Sequence, residues 1–319
     1  MISGKARKPL PLFYGHGDSL RKEALLKAKI LDGKKAAEEI KREVKAEAER
    51  LRAEKGIVPG LGFILVGNNP ASHVYVKMKG KGCEEVGFYS VTLEMSETTS
   101  EETLLGKIKE LNKDKRIHGI LVQMPLPKQI REDVVVEAVD PEKDVDGFHP
   151  INVGRLAMGR PSFRPCTPAG VQELLLRNNI NPAGKHVVIV GRSNIVGKPL
   201  ATILSQKQLG ANAVVTLCHT GARDVSFYTK QADILVAAMG KAEAITGDML
   251  KPGAVVVDVG INRVEDPKSK NGYRLVGDVH FESVSMVASA ISPVPGGVGP
   301  MTIAMLLKNT LEAAKNLAR

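Results

Sequence analysis

The chain has 319 residues, of which 43% are hydrophobic and 25% charged, and a formal net charge of +10. That length suits two domains of ~150 residues, and the composition excludes a wholly disordered chain. No apolar run approaches the ~18 residues of a membrane span, and no hydrophobic signal-peptide core opens the chain.

Residues 1–29 hold seven Lys/Arg (Lys5, Arg7, Lys8, Arg21, Lys22, Lys27, Lys29) against Asp18 and Glu23, so half of the +10 sits there. With Pro9, Pro11, Gly15, Gly17 and no sustained period, residues 1–27 are expected to be a flexible basic extension. A transit peptide is the alternative reading, and it would make the location organellar instead of cytoplasmic. The rest of the chain is only mildly basic and has few aromatics (seven Phe, five Tyr, no Trp), which speaks against a nucleic-acid partner. Cys83, Cys166 and Cys218 lie far apart, so neither a disulfide framework nor a metal site is expected and a reducing compartment is the default.

After the extension, the charged, Ala-rich stretch Lys34–Lys55 predicts a helix. An alternation follows: strand Leu61–Val66, helix Ala71–Val86, strand Phe88–Leu93, helix Ser100–Leu111 with Ser100 as cap, strand Ile117–Val122 and helix Arg131–Val139. The Gly/Pro-rich stretch Gly147–Pro168 reads as the boundary between two halves. A second alternation comprises helix Pro168–Asn178 with Thr167 as cap, strand His186–Val190, helix Lys198–Leu209, and strands Ala213–Cys218, Ala232–Ala237 and Ala254–Val259. Met301–Leu317 is a terminal helix with no sheet of its own. The fold class is α/β in two domains: a catalytic domain over 28–148 completed by the helix of 300–319, and a Rossmann-type domain over 149–299, with a cleft between them.

Three features carry chemistry. The run Val190-Gly191-Arg192-Ser193-Asn194-Ile195-Val196-Gly197-Lys198 lies between a strand and a helix. Gly191 permits a tight turn, Gly197 a close helix–strand approach, and the helix N-terminus suits a phosphate. The next strand ends Cys218-His219-Thr220 with no carboxylate to repel a 2′-phosphate, and Arg192 could reach that phosphate, which points to NADP over NAD. Second, Tyr75 and Lys79 stand one helical turn apart, and Lys77, Lys79 and Lys81 share that helix without an acid between Ala71 and Lys81. Such a setting suits a lysine that gives and takes protons. Third, Gln123 closes a strand where open α/β sheets place ligands, and Asp146 lies in the stiff loop Asp144–Pro150 at the domain junction. A Tyr-x-x-x-Lys pair also occurs in short-chain dehydrogenases, but there it follows the glycine loop, whereas Tyr75 precedes Gly191.

The segments PASHVYVKMKGKGCEEVGF (Pro70–Phe88), GILVQMPLP (Gly119–Pro127), KDVDGFHPINVGRL (Lys143–Leu156), RPCTPAG (Arg164–Gly170), VGRSNIVGKP (Val190–Pro199) and SPVPGGVGPMTIAML (Ser292–Leu306) together resemble the bifunctional methylenetetrahydrofolate dehydrogenase/methenyltetrahydrofolate cyclohydrolase family. The resemblance covers roughly residues 28–315 in order and spacing, with Met124 where the family commonly has Leu. It implies oxidation of 5,10-methylenetetrahydrofolate with NADP, then hydrolysis of the methenyl product to 10-formyltetrahydrofolate, in one-carbon metabolism and purine biosynthesis. By the same resemblance Lys79 is the acid/base of the hydrolytic step, Tyr75 orients the folate, Gln123 tunes Lys79 and Asp146 anchors the pterin. Val122, Pro293, Pro295, Gly296 and Gly297 are implied to border the folate. Gly191, Arg192, Ser193, Ile195, Gly197, Thr220 and Ile261 are implied to border the cofactor, and a homodimer through the cofactor domains is expected.

Overall fold

The computed structural model describes residues 28–269 and 272–317; the expected extension over 1–27 lies outside them. Two parallel sheets organise the chain. In the first, β2 (Gly60–Val66) lies between β3 (Tyr89–Met95) and β4 (Gly119–Val122). Every residue of β2 and β4 is buried, as expected for apolar strands covered on both faces, whereas β3 is an edge strand of mixed exposure. Helices α1 (Gly33–Lys55), α2 (Pro70–Glu85), α3 (Glu101–Lys113) and α4 (Glu132–Ala138) belong to this half of the chain. Asn69 caps α2 by accepting from Ala71 and Ser72 N–H, with Pro70 at the first position. Ser100 caps α3 by accepting from Thr103 N–H, as its spacing predicts.

The second sheet has six strands. Its core is β5 (His186–Val190), β6 (Val214–Cys218), β7 (Ile234–Ala237) and β8 (Val255–Asp258), with β6 at one edge. The far edge holds two strands too short for periodicity to reveal. These are β11 (Ala290–Ile291), beside β8, and β1 (Lys29–Ile30), outermost. Residues 29–30, expected to open the first domain, therefore begin in the second sheet. An antiparallel hairpin, β9 (Asn262–Glu265) with β10 (Tyr273–Val276), projects after β8.

Other departures have local causes. The expected boundary contains helix α5 (Pro150–Ala157), started by Pro150 and capped by His149 Nδ1, which accepts from Ile151 N–H. Helix α6 spans Cys166–Arg177, so Thr167 is inside its first turn instead of capping it, and its Oγ1 meets Thr302 Oγ1 at 2.9 Å. Helix α7 (Gly197–Ser205) stops short of Leu209 because Gln206 turns extended and the Leu204 carbonyl is taken by Ala213 N–H. Two short helices, α8 (Val225–Thr229) and α9 (Phe281–Ser285), complete the second half.

The last helix, α10 (Val298–Leu317), packs on both α1 and α6. Its Met301, Ala304, Leu306, Leu307 and Leu311 are buried in a core cluster shared with Ile40 and Val44 of α1 and Val171 and Leu174 of α6. One helix thus buries apolar surface of both halves and fixes their mutual position, which sets the cleft.

Candidate active site

Helix α2 carries Tyr75 and Lys79, and Lys79 meets the residue that follows β4. The Lys79 Nζ donates to Gln123 Oε1 at 3.1 Å, and Gln123 Nε2 donates to the Met124 carbonyl at 2.7 Å. Because the amide's nitrogen is spent on the backbone, its oxygen is left facing the lysine. The backbone of Gln123 is itself held, its N–H donating to the Ile64 carbonyl of β2 at 2.9 Å.

Asp146 lies within electrostatic reach of Lys79. Dense surrounding protein pushes its carboxyl above the ordinary carboxylate range; the nearby charge of Lys79 pulls it part of the way back, and Asp144 adds to the rise. Its loop is shaped by Asp144, whose carboxylate accepts from Gly147, Phe148 and His149 N–H and from Asn152 Nδ2. The loop is anchored at both sides: Lys143 Nζ caps α3 through the carbonyls of Leu111 and Asp114, and Asn309 of α10 donates to the carbonyls of Val145 and Arg164. Cys166 also touches this loop, donating to the Val145 carbonyl at 3.3 Å, and burial raises its thiol well above the usual value.

A cleft of about 430 Å³ opens between α2 and the second sheet. Tyr75, Val74 and Met78 line one side, Ile261, Arg263, Tyr273 and Leu275 the other, and the turn Pro293–Gly299 closes it. The turn is tied to α1, since Lys34 N–H donates to the Gly296 carbonyl at 3.1 Å. The expected folate residues Tyr75, Pro293, Pro295, Gly296 and Gly297 thus share one cavity with the expected cofactor residue Ile261. Val122 and Asp146 instead line a small separate recess beside β4, and Lys79 and Gln123 adjoin it.

The glycine loop stands at the C-terminal end of β5. Gly191 has φ 139°, and a Cβ there would strike the Ala238 carbonyl; one at Gly197 would strike the Gly191 carbonyl. Ser193 Oγ accepts from Val196 N–H at 3.1 Å, so it braces the loop. Arg192, Ile195 and Thr220 are exposed around it. The donor set fits a phosphorylated dinucleotide: a loop meeting a helix N-terminus, a free-standing arginine, and no carboxylate at the end of β6.

A second anchoring device has no signature in the amino-acid sequence. Asp278, fully buried, accepts from Met239, Gly240 and Lys241 N–H and from Asn262 Nδ2. Asp258, 3% exposed, accepts from Gly260, Asp278 and Val279 N–H, and burial pushes its carboxyl up to about 7. Together they tie the loops after β7, β8 and β10 to one another, and the loop after β8 (Val259, Gly260, Ile261) lines the cleft. Among the described residues no cluster of side chains could hold a metal ion, and no helix is long and apolar enough to cross a membrane.

Comparison with known proteins finds matches for both halves of the chain. Residues 31–146 match the family model of the tetrahydrofolate dehydrogenase/cyclohydrolase catalytic domain, and residues 165–318 match that of its NAD(P)-binding domain. The bifunctional protein FolD of Chlorobium phaeobacteroides is 59% identical over 290 residues, covering 90% of this chain and 98% of that one. The solved bifunctional FolD dehydrogenase/cyclohydrolase of Campylobacter jejuni is 50% identical with a TM-score of 0.85, covering 91% and 99% of the two chains. The FolD of Trypanosoma brucei, solved with NADP and an inhibitor, is 39% identical with a TM-score of 0.87, covering 92% and 99%. The chain belongs to the tetrahydrofolate dehydrogenase/cyclohydrolase family.

Proposed function

We propose that this chain oxidises 5,10-methylenetetrahydrofolate to the 5,10-methenyl cation with NADP, and then hydrolyses that cation to 10-formyltetrahydrofolate. The observation that carries the second activity is the Lys79–Gln123 hydrogen bond, set beside Asp146 and one helical turn from Tyr75.

Bound NADP supplies the hydride acceptor. The chain's own residues do the rest. Tyr75, 37% exposed in the cleft wall, offers a flat face for the folate rings, and the Pro293–Gly297 turn closes on the opposite side. Asp146 accepts hydrogen bonds from the amide and amino groups of the pterin, and charge assistance makes such bonds the stronger ones. Hydride loss leaves a cation stabilised by its two flanking nitrogens, so that step requires no strong base. Hydration does need proton transfers, because water must lose a proton as it attacks and a ring nitrogen must gain one as the ring opens. Lys79 performs these transfers, and Gln123, a neutral partner, holds its Nζ in place.

On the cofactor side, Gly191, Ser193, Ile195 and Gly197 would form the phosphate loop, Arg192 would meet the 2′-phosphate, and Thr220 and Ile261 would border the cofactor. We include a homodimer through the second sheet. Its edge strand β6 leaves Val214 (64%) and Leu217 (37%) exposed, and Leu209 beside it is 97% exposed. A cytoplasmic location completes the proposal, supported by three free, buried cysteines. The test is a single assay of 5,10-methylenetetrahydrofolate with NADP or NAD, following reduced nicotinamide and methenyl absorbance together. Reduced NADP must appear, with methenyl absorbance that then decays; folate left untouched would refute the proposal.

A further inference from the structure

We infer that the buried Asp278 is a positioning residue for the cofactor: its one carboxylate ties the turn behind the phosphate loop to the segment that carries Ile261, and so fixes the spacing at which the two ends of the dinucleotide are held. This rests on the cofactor site proposed above.

Four donors converge on Asp278. Its Oδ2 accepts from Met239 N–H at 2.6 Å and from Gly240 N–H at 2.9 Å, and its Oδ1 accepts from Lys241 N–H and Asn262 Nδ2, both at 2.9 Å. A carboxylate offers about four such positions, so none is left over for a ligand. The side chain is fully buried, and no lysine or arginine pairs with it among the described residues. Three successive N–H groups of one turn and the Asn262 amide meet it instead, which binds the turn to Asn262 through a single group.

Each side of this link touches one part of the cofactor site. The turn begins at Ala238, whose N–H donates to the Val190 carbonyl at 2.8 Å and whose carbonyl a Cβ at Gly191 would strike. It therefore backs the phosphate loop. On the other side, Asn262 follows Ile261, and Gly260 precedes it and donates its N–H to Asp258 Oδ1 at 3.0 Å. The same Asp258 oxygen accepts from the N–H of Asp278 at 2.9 Å. The two carboxylates thus grip both neighbours of Ile261, while Ile261 itself stays 47% exposed at the cleft. Glycines make this approach possible: a Cβ at Gly260 would strike the Asp278 carboxylate, and one at Gly277 the Asp258 carboxylate. A ligand that spans both loops gains from their fixed relation, and a ligand that touches only one does not.

The test compares the full chain with its Asn262→Ala and Asp278→Asn variants. Calorimetry gives the Kd of each for NADP and for 2′-phospho-ADP-ribose, the same molecule without its nicotinamide. Dehydrogenase turnover is followed with NADP, and hydrolysis of 5,10-methenyltetrahydrofolate is followed with no cofactor present. Asn262→Ala cuts only the link to the Ile261 segment. It should weaken NADP about tenfold and leave the fragment's Kd unchanged, since the lost bond is one to a charged group. Dehydrogenase kcat should fall in it, while cofactor-free hydrolysis keeps the parental rate and so reports an intact fold. Asp278→Asn, whose amide cannot accept at both positions, should weaken both ligands about tenfold or more, again with hydrolysis retained. If Asp278→Asn does not fold, Asn262→Ala decides alone. The inference is overturned if Asn262→Ala weakens the fragment as much as NADP, if it leaves NADP affinity and dehydrogenase kcat at the parental values, or if hydrolysis falls in step with the dehydrogenase. A parent chain that binds neither ligand would overturn the proposed cofactor site, and this inference with it.

Discussion

Lys79 and Gln123, 44 residues apart in sequence, meet through a hydrogen bond of 3.1 Å from the ammonium to the side-chain carbonyl. The partner is neutral, which matters for the proton-exchanging role proposed for Lys79 beside a cationic substrate. Replacing Gln123 with Glu puts a carboxylate in its place and should hold Lys79 charged. Cyclohydrolase turnover is expected to fall by about 100-fold, within the usual range for loss of general acid–base function. Gln123→Leu, which removes the hydrogen bond without adding charge, should cost less. Methenyl hydrolysis measured for both variants at one pH checks the order.

Arg192→Ala should lower the NADP-over-NAD ratio of kcat/KM by about tenfold or more, mostly through KM for NADP, because the lost contact is charge-assisted. Parallel cofactor titrations of parent and variant read this directly. An unchanged ratio would remove Arg192 from the 2′-phosphate site.

Asn309 carries a structural prediction. It is 8% exposed and donates to the carbonyls of Val145 and Arg164 at 2.8 and 2.9 Å. Asn309→Leu leaves both carbonyls buried without that donor, which should cost about 2 kcal/mol in denaturant unfolding. Since Val145 adjoins Asp146, KM for the folate should rise more than KM for NADP.

His118 gives a pH dependence with a definite sign. It is buried, and its Nδ1 accepts from Gly60 N–H at 3.0 Å, which requires the neutral ring. Burial, aided by the charge of Lys143, lowers its pKa from the ordinary 6.5. The unfolded chain therefore binds a proton more readily than the folded one. Its contribution to stability is present above that ordinary value and is lost as pH falls through the lowered one. His118→Gln cannot titrate, so its stability measured by urea unfolding should depend less on pH than the parent's between pH 7 and 5.

The interior strands were legible because strands covered on both faces are continuous apolar runs, and His186–Val190 is found with the bounds its sequence predicts. The hairpin β9–β10 was not, because its strands are four residues each, interrupted by Arg263, Glu265 and Arg274, and mostly partly exposed, with no hydrophobic run to mark them. Strands β1 and β11 are two residues each and take their identity from pairing alone. The Tyr75–Lys79 pair could be read because helical spacing is local. Lys34 and Arg263 could not, since only the closing of α1 and the hairpin around the Pro293–Gly297 turn brings them into one cavity. The interlocked Asp258 and Asp278 were invisible for the same reason: nothing in a sequence marks a carboxylate that will be saturated by backbone N–H groups from three loops.

In the proposed function one chain performs two steps and Lys79 serves the second. Lys79→Met, assayed with 5,10-methylenetetrahydrofolate and NADP, tests it most directly. Reduced NADP should still form at a measurable rate while methenyl absorbance accumulates and does not decay beyond the uncatalysed rate. Decay of the methenyl signal in Lys79→Met as fast as in the parent chain would contradict the role assigned to Lys79.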